Sequence, residues 1–293
     1  MLRPPLADPG GALRTLMGQG TVVMPGIYDA VTARLAVRTG FQAAYLSGGA
    51  LTNARLGAPD IGLLTLDEMA ATAACCCQAA HIPILADADT GFGDVWNVSR
   101  TVIAAEAAGL AGIHIEDQVM PKRCGHLDGK ALVPGDDMAR KIRSAVEAKS
   151  RPSFVVVART DARSVEGIDG AVGRAKLYLD AGADAVFPEG LESEAEFEAF
   201  RARVPGLLLA NMTEFGKTPL IPVSRFAELG YAMVIFPVTA LRVAVKAVGD
   251  WYGHLAQAGT QEGYLDKMVT RKELYEIVGY EEYEETDGAW AGL

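Results

Sequence analysis

The stretch AAGLAGIHI (residues 107–115) carries the main indication of the fold, because its pattern recurs in RTGFQAAYL (38–46), DAGADAVFP (180–188) and ELGYAMVIF (228–236). In each stretch a helical segment ends at a glycine, and an apolar run begins two or three residues later. A glycine at that place is typical of the left-handed cap that ends a helix and leads directly into a strand. No Asn-Gly hairpin signal lies between the apolar runs. The repeated join therefore predicts parallel strands connected by helices.

Eight apolar runs can be assigned as strands, with helical segments between them. The strands are expected at about 21–24, 43–46, 83–87, 112–115, 154–158, 185–188, 207–210 and 233–236. Eight such units predict an α/β fold of the (β/α)8 TIM-barrel type, for which 293 residues is an ordinary length. A doubly wound open sheet is the structural alternative. No linker divides the chain, so we expect one domain over 1–293, with the barrel at about 20–258 and a polar, acidic helical tail at 259–293.

Composition and charge narrow the possible partners. Half of the residues are hydrophobic and only 7% are aromatic, which suits strands that helices bury on both faces. The formal net charge of −10 repels nucleic acid, so no nucleic-acid partner is expected. The same charge repels an anionic substrate, which must then be met by local arginines or by a metal ion.

The sequence also indicates where the chain works. No apolar stretch approaches the roughly 20 residues that span a bilayer, and MLRPPLADPGG at the start lacks the apolar core of a secretory signal. The four cysteines, three of them consecutive at 75–77, form no disulfide framework. We therefore expect a cytoplasmic protein without a membrane partner.

Acidic side chains follow several of the predicted strands, where a barrel carries its active site. Asp87 and Asp89, in ILADADTGFG, are spaced so that both would point to one side of the third strand, and Glu116 ends the fourth. Hard oxygen ligands without a nearby His or Cys pair favour Mg²⁺, or Mn²⁺, over zinc. The alternative is that these acids cap helices and pair with lysines or arginines.

A second candidate lies in PKRCGHLDGK (121–130). Lys122, Arg123 and His126 surround Cys124 with positive charge, which is the setting that adjusts the pKa of a thiol. A lone cysteine is more often a small buried packing residue, but a position just after Glu116, at the mouth of the barrel, favours catalysis. The three consecutive cysteines lie in an alanine-rich helix and are interpreted as packing residues.

Glycine-rich turns give weaker signals. Ser47, Gly48 and Gly49 offer backbone N–H groups at a tight turn, where they could hold a carboxylate or phosphate. No dinucleotide or P-loop motif is present, and neither is a G-x-S-x-G nucleophile elbow. No strand ends in a lysine placed for a Schiff base, which disfavours a lysine-dependent aldolase.

Together these motifs resemble the isocitrate lyase / phosphoenolpyruvate mutase superfamily, and TEFGKTPL narrows the resemblance towards the bacterial 2-methylisocitrate lyases. The matching stretches extend over nearly the whole chain: YLSGG (45–49), GAPDIGLLTLDE (57–68), DADTGFG (87–93), GIHIEDQ (112–118), KRCGH (122–126), VARTDA (157–162), FPEG (187–190), NMTEFGKTPL (211–220) and TRKELYE (270–276).

The resemblance implies roles for particular residues. It places Mg²⁺ near Asp87 and Asp89, with Asp60 and Glu116 holding its waters. It implies Cys124, on a mobile loop, as the proton donor. The implied catalytic residues around that thiol are Arg159, His126 and Glu116, and the implied substrate contacts are Ser47, Gly48, Gly49, Cys124, Gly125, His126, Arg159, Glu189, Asn211, Thr213, Arg242 and Arg271. Relatives are homotetramers that exchange C-terminal helices between subunits, which suits the tail here.

The reaction implied by the resemblance is Mg²⁺-dependent cleavage of a small 2-hydroxy acid, 2-methylisocitrate, to pyruvate and succinate. PGIYDA (25–30) and HLDGK (126–130) instead follow relatives that act on dimethylmalate or oxaloacetate. A 2,3-dimethylmalate lyase and an oxaloacetate hydrolase or decarboxylase are therefore the alternatives on the same scaffold. Cys124 together with Pro237 favours a carbon–carbon lyase. A non-catalytic metabolite-binding barrel is the alternative from another class.

Overall fold

Eight parallel strands close into a barrel in the order of the sequence. The structure is a computed structural model that describes residues 4–123, 125 and 129–292. The strands are β1 (Val22–Ile27), β2 (Ala44–Leu46), β3 (Ile84–Asp87), β4 (Gly112–Glu116), β5 (Val155–Thr160), β6 (Ala185–Pro188), β7 (Leu207–Asn211) and β8 (Met233–Phe236). β1 pairs with β8 through four residues, starting at Val22 opposite Met233, and this seam closes the sheet. The predicted barrel is confirmed, and the open-sheet alternative is wrong.

Helices surround the barrel and extend beyond it at both ends of the chain. They are α1 (Pro9–Gln19), α2 (Ala30–Arg38), α3 (Gly48–Leu56), α4 (Leu66–Ala80), α5 (Val95–Ala107), α6 (Gly135–Glu147), α7 (Arg163–Asp180), α8 (Glu194–Arg203), α9 (Val223–Leu229), α10 (Thr239–Ala258), α11 (Arg271–Val278) and α12 (Tyr280–Ala291). The expected extra C-terminal helices are confirmed. Among the described residues, no helix is long and apolar enough to cross a membrane.

The glycine joins have the geometry that their pattern predicts. Gly109 has φ 91° between α5 and β4, and Gly182 has φ 103° between α7 and β6. A side chain at this φ would be strained, so glycine allows the chain to reverse within two or three residues. The short joins keep all eight strands parallel and place their carboxyl ends at one end of the barrel.

Two apolar layers hold this arrangement. Leu85, Val155, Val157, Leu209 and Met233 fill the barrel interior, and each is fully buried. A second layer of mainly small side chains packs the helices against the outside of the strands. Close packing of this kind makes the strand ends rigid, which is what an active site built on them requires.

The amino-terminal helix α1 is a part of the fold that the strand–helix pattern does not predict. Asp8 caps it by accepting a hydrogen bond from Gly11 N, and Leu13 is fully buried beneath the barrel. Arg14 donates to the backbone carbonyl of Ser153 and forms an ion pair with Asp184 at 2.6 Å. α1 therefore covers the amino-terminal end of the barrel, opposite the strand ends.

The long helix α10 packs little of its surface within its own chain. Leu241 is its only buried residue, whereas Val243, Val245 and Tyr252 are each more than 60% exposed. The following helix α11 lies against α2, where Arg38 forms an ion pair with Glu276 at 3.0 Å. One chain thus leaves apolar surface of α10 uncovered.

Candidate active site

A cavity of about 330 Å³ opens at the carboxyl ends of the strands. Its apolar wall is made by Pro59, Phe187, Ile235, Pro237 and Val238. Its polar and small lining residues are Tyr45, Ser47, Gly49, Asn53, Asp60, Asp87, Gly125, Arg159, Glu189, Asn211, Thr213 and Arg242. Most of the predicted substrate-binding residues therefore meet around one cavity of a size that suits a small carboxylic acid.

Arg159, on β5, is the central cation of the site. Its Nε lies 2.9 Å from Asp161 Oδ2 and 3.2 Å from Glu116 Oε2, and its Nη1 lies 3.7 Å from Glu189 Oε2. The guanidinium also stacks over the ring of Phe187 at 5.1 Å. Burial disfavours its charge, but the carboxylates outweigh burial and raise the pKa of Arg159. Arg159 is thus a fixed cation with room above it for a substrate carboxylate.

The predicted metal-binding acids form a second cluster beside Arg159. Lys122 lies among them, with its Nζ 2.5 Å from Asp60 Oδ1 and 2.6 Å from Asp89 Oδ1. Asp89 N donates to Asp87 Oδ1 at 2.9 Å. Asp89 follows β3 with φ 47°, so the predicted alternation along the strand is wrong for this residue. The two carboxylates converge because the chain turns, rather than because they share one face of a strand.

Burial and mutual repulsion set the protonation of these acids. Burial, reinforced by Asp87, raises the pKa of Asp89 to about 6 despite the opposing charge of Lys122. Burial also raises the pKa of Glu116. At Asp87 burial pushes the pKa upward, but His114, Lys122 and Arg159 together lower it. Asp87 therefore stays ionised more readily than Asp89 or Glu116.

The chemistry of the cluster fits a divalent cation. Six buried or partly buried carboxyl groups meet only three cationic side chains among the residues that the structure describes: Asp60, Asp87, Asp89, Glu116, Asp161 and Glu189 face Lys122, Lys130 and Arg159. Neither oxygen of Glu116 accepts a hydrogen bond there, although Oε2 lies near Arg159. Such unbalanced, unsatisfied acceptors are costly when buried unless a cation or water meets them.

The acids of this cluster do not form a set of metal ligands in the described part of the chain. Within the described ranges, no group of three or more His, Cys, Asp or Glu side chains is arranged to hold a metal ion. Lys122 instead lies between Asp60 and Asp89, with its side chain only 2% exposed. Burial opposes the charge of Lys122, but four neighbouring carboxylates outweigh burial and raise its pKa. They are Glu116, Asp89, Asp87 and Asp60. The ammonium group thus supplies part of the positive charge that the acids require.

The Ser47–Gly49 segment differs from its prediction. It is not a tight turn but the beginning of α3, where Ser47 accepts a hydrogen bond from Ala50 N as the N-cap. A Cβ on Gly48 would lie 2.7 Å from Asp87 Oδ2, so only glycine allows this close approach. The first-turn N–H groups of a helix favour an anion, which agrees with the predicted carboxylate contact.

Polar residues at the rim face Arg159 across the cavity. Asn211 Nδ2 donates to Glu189 at 3.1 Å. Arg242, on α10, donates to Glu214 at 2.7 Å and lies 3.4 Å from Thr213 Oγ1. Its guanidinium stays 44% exposed and stacks near the ring of Phe215, at 5.5 Å. Arg242 is therefore a second cation that a substrate can reach.

Three of the predicted site residues, Cys124, His126 and Arg271, are not among the described residues that line the cavity. Cys124 and His126 lie outside the described residues. Gly125 is described and lines the cavity. Arg271 is exposed at the start of α11 and lines a separate surface hollow with Tyr275, so its predicted contact with substrate is not made within one chain.

Tyr45 and His114 belong to the site but were missed from the sequence as functional residues. Tyr45 lines the cavity, and its hydroxyl lies 2.6 Å from His114 Nε2. Burial lowers the pKa of His114 to about 4, so its ring is neutral at pH 7. Both lie two residues before a predicted site residue, Ser47 and Glu116 respectively. Strand alternation from those residues could have found them.

Two other acids at strand ends have structural roles. Asp29 caps α2 in a capping box with Thr32. Asp117 accepts hydrogen bonds from Thr160 at 2.7 Å and from Tyr178 at 2.8 Å. Asp29 and Asp117 therefore stabilise the fold, and neither lines the cavity.

The charged residues are unevenly distributed around the barrel. The strand ends of β3 to β6 provide Asp87, Glu116, Arg159 and Glu189. The strand ends of β7 and β8 provide Asn211 and the apolar Ile235. The cavity thus has a charged half and a largely uncharged wall half.

Comparison with known proteins shows the family to which the chain belongs. The family model described as phosphoenolpyruvate phosphomutase matches residues 13–256. The chain belongs to the phosphoenolpyruvate phosphomutase family. Within similar sequences, it is 51% identical over 288 residues to a protein named 2-methylisocitrate lyase from Aeropyrum pernix, which covers 98% of this chain and 92% of that protein.

Two solved structures show that the family barrel is shared over its full length. A structure of 2,3-dimethylmalate lyase, titled as a PEP mutase/isocitrate lyase superfamily member, has a TM-score of 0.92 and 38% identity, covering 98% of this chain and 97% of that one. A structure of oxaloacetate acetylhydrolase with 3,3-difluorooxalacetate has a TM-score of 0.93 and 34% identity, covering 99% of both.

Proposed function

We propose that this chain is a carbon–carbon lyase that cleaves 2-methylisocitrate into pyruvate and succinate. The observation that carries the proposal is the pairing of two opposed groups in one small cavity: an acid cluster at Asp87 and two separated arginines, Arg159 and Arg242. A tricarboxylate with one hydroxyl group needs both kinds of partner. The 51% identity to a relative named 2-methylisocitrate lyase supports this substrate.

The proposed reaction breaks one carbon–carbon bond. A base accepts the proton of the hydroxyl group, whose carbon also carries a methyl and a carboxylate group. As that carbon becomes the ketone of pyruvate, the electron pair of the broken bond stays on the succinate fragment. Arg159, fixed by Asp161, stabilises the carboxylate through which this negative charge spreads. Cys124 then donates the proton that completes succinate.

Mg²⁺, with Mn²⁺ as the alternative, is proposed as the cofactor. Asp87 and Asp89 would hold it, with Asp60 and Glu116 binding its waters, because this is where unbalanced carboxylates collect. When bound, the ion would lower the pKa of the substrate hydroxyl and offset charge developing on its oxygen. The chain's own contribution is to keep Asp87 ionised through the positive charges of Lys122 and Arg159.

A second candidate is cleavage of 2,3-dimethylmalate, which the likeness to a solved 2,3-dimethylmalate lyase favours. Pyruvate release should be measured with methylisocitrate, isocitrate, dimethylmalate and oxaloacetate, each with and without EDTA. We expect kcat/KM for methylisocitrate to exceed that for dimethylmalate by at least about tenfold. A preference for dimethylmalate would favour the second candidate, and no turnover of any acid would favour a binding protein.

Replacing Arg242 by Ala should raise KM more for a tricarboxylate substrate than for a dicarboxylate substrate. A charge-assisted hydrogen bond is worth about 1.5–3 kcal/mol, and the 44% exposure of Arg242 places it at the lower end. We therefore expect KM for methylisocitrate to rise by about tenfold, with a smaller effect on dimethylmalate. Steady-state kinetics with both acids test this.

The matched control for this prediction is Arg225→Ala. Like Arg242, Arg225 forms an ion pair with a glutamate, here Glu194 at 2.6 Å, but it lies on α9 and does not line the cavity. An unchanged KM in Arg242→Ala, or a larger loss with the dicarboxylate, would show that Arg242 does not bind the third carboxylate.

We also propose that the protein is a homotetramer whose C-terminal helices are exchanged between subunits. The uncovered apolar surface of α10 supports this, since Val243, Val245 and Tyr252 are largely exposed in one chain. Val245→Glu is expected to shift the mass in light scattering towards smaller species. Lys246→Gln, a change on the same helix, should leave the tetramer intact. A monomeric wild-type protein would contradict the proposal.

A further inference from the structure

Lys130 is a buried lysine that the proposed reaction does not use. Its side chain is only 1% exposed, and its Nζ lies 2.9 Å from Asp161 Oδ1. It also donates a hydrogen bond to the backbone carbonyl oxygen of Gly125. Burying an ammonium group is costly unless hydrogen-bonding and ion-pair partners surround it. Both partners of Lys130 are in or beside the candidate active site.

Asp161 connects Lys130 with the central arginine. The same carboxylate accepts two hydrogen bonds from Arg159, at 2.9 Å from Nε and 3.2 Å from Nη2. Its backbone N–H is in turn fixed by Asp117 Oδ1 at 3.0 Å. Asp161 is fully buried, and its two cationic partners thus share one rigid carboxylate.

Gly125 packs closely against the side chains of Arg159 and Glu189. A Cβ added to it would lie 2.6 Å from Arg159 Nη2 and 2.4 Å from Glu189 Cγ. The backbone at Gly125 therefore approaches Arg159 as closely as only a glycine can. Its carbonyl group is held by Lys130, whose other partner holds Arg159. The four groups form a closed set of contacts.

We propose that Lys130 is a positioning residue that fixes the backbone at Gly125 relative to Arg159. The inference rests on the proposed lyase function, in which the neighbouring Cys124 delivers a proton to the fragment that Arg159 binds. A displacement of about 1 Å between such groups can cost about 100-fold in rate. Lys130 acts through this placement and does not itself contact the substrate.

The test compares Lys130→Met with Lys149→Met. Lys149 is an internal match, because its Nζ pairs with Asp184 at 2.7 Å and Asp184 also pairs with Arg14. This second Lys–Asp–Arg group lies near the amino-terminal end of the barrel, so Lys149→Met reports the loss of a partly buried ion pair away from the cavity. We expect Lys130→Met to lower kcat for methylisocitrate by about 10- to 100-fold, with a smaller change in KM. Lys149→Met should keep the wild-type kcat.

A second measurement is independent of turnover. Alkylation of Cys124 by iodoacetamide, followed by mass spectrometry, should be several-fold faster in Lys130→Met than in the wild type and unchanged in Lys149→Met. If Lys130→Met fails to fold, Lys130→Arg takes its place, because it keeps a cation but not the ammonium geometry. It should show the same two changes to a smaller degree.

The outcomes separate the inference from the proposed function. Wild-type kcat and alkylation rate in a folded Lys130 variant would overturn the positioning role, and so would equal losses of kcat in the Lys130 and Lys149 variants. If the wild-type enzyme cleaves none of the acids, the proposed function fails. The alkylation rates then decide the placement of Gly125 by themselves.

Discussion

Replacing Asp87 by Asn is expected to lower kcat for methylisocitrate by about 10³-fold while leaving the fold intact. Stabilisation of a developing charge by a metal ion is worth several kcal/mol, and about 4 kcal/mol corresponds to 10³-fold in rate. The pKa of Asp87 is lowered, whereas the pKa values of Asp89 and Glu116 are raised, so the negative charge of Asp87 is more fully available to a cation than theirs. Asparagine keeps the size of the side chain and removes that charge.

The metal site needs a measurement other than turnover. Mn²⁺ binding, followed by electron paramagnetic resonance, should be lost or strongly weakened in Asp87→Asn. Asp184→Asn is the control, since Asp184 is a largely buried, ion-paired carboxylate outside the cavity, and it should bind Mn²⁺ like the wild type. Full activity of Asp87→Asn, or wild-type activity that resists EDTA, would contradict the metal assignment.

Replacing Cys124 by Ser is expected to lower kcat by about 10²–10⁴-fold, which is the usual contribution of a general acid. Serine is similar in size, but its hydroxyl is a much weaker acid than a thiol. Substrate affinity should change little, because the proton is transferred only after the bond has broken. Presteady-state kinetics with methylisocitrate would separate this step from substrate binding.

Other thiols of the same chain provide the controls. Cys75→Ser should keep wild-type activity, since Cys75 is exposed on α4 and does not line the cavity. Burial raises the pKa of Cys77 to about 12, so its thiol should alkylate far more slowly than that of Cys124. An active Cys124→Ser enzyme would remove the lyase mechanism proposed above and make a decarboxylase the leading interpretation.

The fold could be predicted from the sequence because it depends on local signals repeated many times. β4, expected at 112–115, is Gly112–Glu116, and β8, expected at 233–236, has those limits. The helices α1 and α3 were missed because neither belongs to the repeated unit: α1 precedes the first strand, and α3 is an additional helix before α4 in the connection from β2 to β3. α3 begins at two glycines, which disfavour a helix unless a residue such as Ser47 caps it.

The site was predicted less completely, because its geometry depends on contacts between distant parts of the chain. Strand-end position was enough to find Asp87 and Glu116, whereas Arg159 was implied by the family resemblance. It could not show that Lys122 contacts the acid cluster, or that Lys130 and Arg159 share Asp161. The contacts of Lys122 with the acids and of Lys130 with Asp161 join residues that are tens of positions apart in the sequence, so they form only when the barrel closes.

The division of the cavity into a charged half and a wall half has a consequence for how this scaffold can change. In the proposed mechanism bond breaking depends on the charged half, where burial and neighbouring charges shift the pKa values of Asp87, Asp89 and Glu116. Ile235, Pro237 and Val238 carry no charge, and they line the cavity from the last strand and the loop after it. New substrates can therefore be selected by varying this wall while bond-breaking chemistry is inherited unchanged, so libraries aimed at new acids should begin there.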